Sequence, residues 1–65
     1  MNPDNIKTLV KRHKIGGMTV YVGYIKIIDG SDVHVHSCRI DRLTKEDALL
    51  DAEAYKREVL ELGIY

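Results

Sequence analysis

The segment His34-Val35-His36-Ser37-Cys38 gathers the metal-ligand and nucleophile chemistry of this 65-residue chain. Alternate residues of a strand share a face, so an extended backbone sends both imidazoles and the thiol to one side. Neighbouring alternate side chains can share a zinc ion, but His34 and Cys38 start about 13 Å apart at strand rise. The three cannot meet on one ion without a bend. A closed site also needs a fourth ligand, from His13 or from a second subunit. Cys38 and His36 would make a nucleophile pair only with a third group to orient them, and nothing else in the sequence marks an oxyanion hole. Gly16-Gly17 lacks the remaining spacing of a phosphate-binding loop. The segment is therefore read as an exposed or interfacial strand face with a reduced cysteine. No catalytic residue, metal or cofactor is assigned, and the chain is not expected to be an enzyme.

Charge offers a second chemistry. Lys7, Lys11, Arg12 and Lys14 crowd the N-terminal stretch, and Lys26 and Arg39 can join them in contacting nucleic-acid phosphates. Residues 46–61 are locally acidic. Ten basic against ten acidic residues give a formal charge of zero, and that balance hides a dipolar surface. It argues against a strongly basic nucleic-acid binder and against an acidic mimic of nucleic acid.

The elements that must carry these groups follow from periodicity. Asn2 suits an N-cap, Pro3 a first helical position and Asp4 a helix N-terminus. Ile6, Leu9, Val10 and His13 recur at helical spacing, and Gly16-Gly17 can stop a helix, so a short helix is expected over 3–14. A strand over 6–12 is the competitor, because Thr8, Leu9 and Val10 tolerate it. From Met18 the residues turn β-branched and aromatic, which predicts a hairpin of strands 18–28 and 33–40 around Asp29-Gly30-Ser31-Asp32. A four-residue loop sets Ile28 beside Val33 and Tyr24 beside Ser37. Thr44 caps a helix over 45–62, whose stripe Ala48, Ala52, Tyr55, Val59 and Leu62 steps by four and three. Glu53 should face Arg57, Gly63 fits the C′ position with Ile64 reaching Val59, and Leu50 lies opposite the stripe. The fold class is α+β, in a single small domain spanning 1–65, with a βββα arrangement as the alternative.

Size and composition bear on association. Hydrophobic residues at 45% and charged residues at 31% describe a globular chain. One cysteine precludes an internal disulfide. The longest apolar runs are too short to span a bilayer, and the first fifteen residues lack a signal peptide's apolar core, so a cytoplasmic location is expected. A chain of this length buries only about 60% of its unfolded surface and leans on a staple or a partner. Along the first hairpin strand Val20, Val22 and Ile28 point one way while Tyr21, Ile25 and Ile27 point the other. One helix covers one face of a sheet, so a homodimer is expected to cover the second, with Tyr21, Ile25 and the helix stripe at the contact.

Two resemblances add to this. The strand–strand–helix order ending in RIDRLTKEDALLDAEAYKREV (39–59) is similar in style to small, uncharacterised proteins encoded by phages and prophages, some of which are anti-CRISPR or other host-takeover inhibitors. The likeness is compositional and covers 20–62. It implies a non-enzymatic module that makes stoichiometric contact with a host protein or nucleoprotein complex, with Tyr21, Tyr24, Ile25 and Leu50 as partner contacts. The stretch Thr44-x-Glu46-Asp47-Ala48-x-x-Asp51-Ala52 also resembles the helix of sheet-reading DNA-binding domains of the integrase amino-terminal and plant ethylene-response types. That likeness implies a small DNA-binding regulator using Lys7, Lys11, Arg12, Lys14, Lys26 and Arg39. The hairpin departs from it, offering Val, Ile and Tyr where those families present Arg and Trp. A structural dimer is the third alternative. No small-molecule substrate and no membrane contact are expected.

Overall fold

The computed structural model describes residues 2–63. A single 3-10 turn over Pro3–Asn5 leads into β1 (Ile6–Ile15), β2 (Met18–Asp29) and β3 (Asp32–Ser37), and α1 (Lys45–Leu62) closes the chain. The three strands form one antiparallel sheet in the order β1-β2-β3. This is an α+β fold with the helix packed on one face of the sheet.

The expected N-terminal helix over 3–14 survives only as the first turn. The Asn2 side chain accepts from the Asp4 N–H at 3.0 Å, as a cap should, and the chain then straightens. Two features decide against helix. Thr8 and Val10 are stiff at χ1 and suit a pleated surface. Gly16 and Gly17 both adopt positive φ, +57° and +83°, the requirement of a two-residue hairpin turn whose twist matches its strands. They fold β1 back onto β2 from Ile15↔Met18 to Ile6↔Ile27, without a break in register. The stripe of Ile6, Leu9, Val10 and His13 is consequently split between the two faces of the sheet.

The second hairpin has the anticipated register, with Ile28 opposite Val33 and Tyr24 opposite Ser37. Asp29 and Asp32 add one further pair and leave Gly30-Ser31 as the turn. β3 ends at Ser37 rather than at residue 40. The Cys38 N–H still donates to the Gly23 carbonyl at 2.9 Å, after which Arg39 takes φ +59° and donates its N–H to Ser37 Oγ at 3.0 Å. The chain rejoins β2 at Arg42, which exchanges both backbone hydrogen bonds with Tyr21 at 2.7 and 2.8 Å. A left-handed conformation costs a non-glycine residue about 1–2 kcal/mol. Here it lets the chain bulge out and return to the same strand.

The C-terminal helix occupies the expected residues. Thr44 Oγ1 accepts from the Asp47 N–H at 3.2 Å, and Gly63 ends the helix at φ +68° with its N–H on the Val59 carbonyl. Ile64, expected to touch Val59, lies outside the described residues. Ala48, Ala52 and Val59 are buried and Tyr55 is half-buried, whereas Leu62 is 65% exposed. Glu53 turns to the sheet and accepts from Thr8 Oγ1 at 3.1 Å.

Helix and sheet meet closely at Gly23. A Cβ there would overlap the Ala48 carbonyl oxygen and stand 3.0 Å from the Ala52 nitrogen. A glycine in the central strand and two alanines one helical turn apart thus let backbone approach backbone. On one side of this contact, Ile6, Ile25 and Ile27 pack with Val59 into the core, flanked by Tyr55 and Leu60. Among the described residues no helix is long and apolar enough to cross a membrane.

Candidate binding surface

Gly23 points to the helix, so strand alternation assigns every other position of the sheet. Ile6, Thr8 and Val10 of β1, Ile25 and Ile27 of β2, and His34 and His36 of β3 share the helix side. The opposite face carries Lys7, Leu9, Lys11, His13 and Ile15 from β1. From β2 and β3 it takes Val20, Val22, Tyr24, Lys26, Ile28, Val33, Val35 and Ser37. The middle of this face is closed, with Val20 and Val22 buried beside Lys11, His13 and Tyr24, while Val33 and Val35 on β3 stand about half exposed.

The metal-ligand segment lies on the helix side. His36 packs its ring near Tyr55, with centroids 6.4 Å apart, while His34 is exposed farther out along β3. Cys38 lines a small cleft of about 330 Å³ with Ile40, Asp51, Ala54, Tyr55 and Glu58. Partial burial, and then the charge of Asp51, push its thiol pKa up. A thiol held protonated is a weak nucleophile and a weak metal ligand. Among the described residues no group of three or more His, Cys, Asp or Glu side chains is placed to hold a metal ion.

Arg42 and Asp51 close that side of the molecule. Arg42 Nε donates to Asp51 Oδ2 at 2.8 Å and a terminal NH2 donates to Oδ1 at 2.9 Å, a two-pronged bond across a carboxylate side chain only 14% exposed. These hydrogen bonds hold Asp51 below the ordinary carboxylate range, against the opposing effect of desolvation. A depressed carboxylate contributes stability that is present above its unfolded pKa, about 3.9, and is lost as pH falls through the lower folded value. Thermal melts of the protein and of Asp51→Asn should therefore differ most near neutrality and converge below about pH 4. A difference that stays constant down to strong acid would assign the contribution to packing instead.

The residues expected at a partner contact are divided. Tyr24 lies on the helix-free face. Tyr21, half-buried, lies on the helix side with its backbone tied to Arg42. Ile25 is fully buried beneath the helix and cannot touch a partner in the folded state, nor can the buried alanines of the helix stripe. Leu50 is 66% exposed, on the helix, and cannot share one contact surface with Tyr24. The cations divide as well. Lys7, Lys11 and Lys26 share the helix-free face, Arg12 and Lys14 alternate to the other side of β1, and Arg39 sits in the left-handed bend.

The helix-free face has a definite electrostatic character. Lys11 places its ammonium 4.8 Å from the centroid of the Tyr24 ring, and His13 Nε2 lies 3.2 Å from the Tyr24 hydroxyl. Lys7 stands directly opposite Lys26. None of the strand residues on this face is acidic. The helix is the reverse, with six acidic residues against three basic ones. Nothing known matches: no protein family, characterised protein or solved structure aligns with the chain. The surface must be interpreted from its own chemistry. The sequence alone puts Lys7, Lys11 and Lys26 with Arg12, Lys14 and Arg39 as phosphate contacts, Tyr24 with Tyr21, Ile25 and Leu50 as a separate partner contact, and His13 only among candidate metal ligands. Taking β1 as a helix concealed the alternation that sorts them.

Proposed function

We propose that this chain is a non-enzymatic binding module whose contact surface is the helix-free face of its sheet, engaging an anionic macromolecular partner one to one. The observation that carries this reading is the juxtaposition of three lysines with exposed apolar side chains on a strand face that holds no acid. Val33 and Val35 are about half exposed, and Leu9, Tyr24 and Ile28 lie alongside them. An apolar patch set among charges of one sign marks an interaction surface. The likeness to phage accessory proteins points the same way, toward a host protein or nucleoprotein complex as the partner. A symmetric dimer through this face is disfavoured, since it would set lysines against lysines across a desolvated contact.

Gel filtration of extract from the producing cell tests the assignment. The protein should elute in a complex larger than itself. Lys7→Gln, Lys11→Gln and Lys26→Gln together should return it to the position of the free chain, while Lys45→Gln with Lys56→Gln should leave the complex intact. Elution of the native chain at the free position, or a complex lost only with the helix substitutions, would overturn the proposal.

A further inference from the structure

Resting on the reading of the helix-free face as a contact surface, we propose that its occupant is a single-stranded nucleic acid, with the backbone phosphates on Lys7, Lys11 and Lys26 and the bases over Tyr24 and the apolar residues beside it. The strongest evidence is the Lys7↔Lys26 pair. Like charges directly opposite on neighbouring strands are destabilising, and neither lysine has an acid next to it on this face. The other like-charged pair of the sheet, Asp29↔Asp32, brackets a tight turn in which Asp is favoured for local backbone bonding. Lys7 and Lys26 sit away from either turn, where no such local reason applies. A polyanion bound between them turns the repulsion into attraction.

The rest of the face selects the type of nucleic acid. Lys7 and Lys11 are four residues apart on one strand, about 13 Å at strand rise, in a row that a flexible backbone can follow. Tyr24 adds an aromatic ring between that row and β3, and Leu9, Ile28, Val33 and Val35 surround it with apolar surface. A duplex keeps its bases stacked inside and would leave these apolar side chains against phosphate and sugar. A single strand has unstacked bases to lay on them, and grooves that bind single strands combine cations with such aromatic platforms. An acidic protein segment would satisfy the lysines but brings no planar base to lay beside the Tyr24 ring, which Lys11 already flanks.

The test uses the whole chain with dye-labelled 15-nucleotide single strands of mixed sequence, DNA and RNA, read by fluorescence anisotropy, beside a duplex of the same sequence. Three phosphate contacts predict a slope of about −2 in log affinity against log salt, so that raising salt from about 50 to 200 mM weakens binding roughly twentyfold. Lys7→Gln, Lys11→Gln or Lys26→Gln should each flatten the slope by about 0.7, and Tyr24→Ala should weaken binding with the slope unchanged. Lys26→Glu supplies a readout independent of binding. It should abolish binding yet raise the melting temperature by a few degrees, because it converts the like-charged pair into an opposite one. Preference for the duplex, or binding insensitive to salt, would overturn the inference. If no nucleic acid binds while the three-lysine variant still loses the cellular complex, the partner is an acidic protein and only this inference fails. Loss of both would remove the binding surface itself.

Discussion

A chain carrying Gly23→Ala should be at the edge of unfolding at room temperature. Replacing glycine by alanine in a conformation that alanine accepts usually stabilises by about 0.4–1 kcal/mol, because the unfolded chain has less freedom to lose. Gly23 is outside the positive-φ set, so this gain is available. The contact overwhelms it. The added methyl would overlap the Ala48 carbonyl and crowd Ala52, and both obstacles include helix backbone, which no rotamer change can move aside. The helix must lift from the sheet, and because the obstacle is backbone the cost falls at the top of the usual overpacking range of about 1–3 kcal/mol. A domain of this length has only about 3–10 kcal/mol in total. Urea titration followed by circular dichroism should show the midpoint falling by more than half. Gly30→Ala is the control, since its site has positive φ but nothing within 4 Å, and its cost should stay near 1 kcal/mol. A Gly23→Ala chain as stable as the native one would mean that helix and sheet are not in contact there.

Truncation of Ile25 should be of similar size. It is fully buried with Ile6, Ile27 and Val59, and its removal costs both transfer free energy and a cavity, about 2–5 kcal/mol for Ile→Ala. Leu50→Ala, on the exposed side of the helix, should change stability by less than about 0.5 kcal/mol. Equal effects at the two positions would contradict the placement of the helix. Ile25→Ala tests the fold and not the binding surface, because the side chain lies beneath the helix.

What could be foreseen was governed by local chemistry. Helix 45–62 declared both its ends through Thr44 and Gly63, because capping is a matter of a few neighbouring residues. The Ile28–Val33 register followed from the polar turn between them. The N-terminal segment reads first as a helix, with the strand it forms as the competitor, because Ile6, Leu9, Val10 and His13 satisfy the helical period while the deciding signal, Gly16-Gly17, serves either as a helix stop or as a hairpin turn. Only pairing to β2 resolves that ambiguity, and pairing is non-local. Gly23 was likewise silent: a glycine within a strand signals a close backbone approach, but not the element that approaches. Apolar residues on both faces of β2 underlie the expectation of a second chain, and the helix covers only one of those faces. The helix takes the odd positions, and Val20 and Val22 lie in the middle of the sheet, opposite His13 and Lys11, which reach toward Tyr24. The lysines were recognised singly, and their convergence on one face emerged only with the strand.

The central claim concerns where the partner sits, and lysine acetylation footprinting addresses it directly. The protein would be exposed briefly to an acetylating reagent in extract of the producing cell and again after purification, with each lysine quantified by mass spectrometry. Lys7, Lys11 and Lys26 should be protected in extract and reactive when pure, while Lys45 and Lys56 of the helix react alike in both. Protection confined to the helix lysines, or equal reactivity of Lys7, Lys11 and Lys26 in the two states, would contradict it.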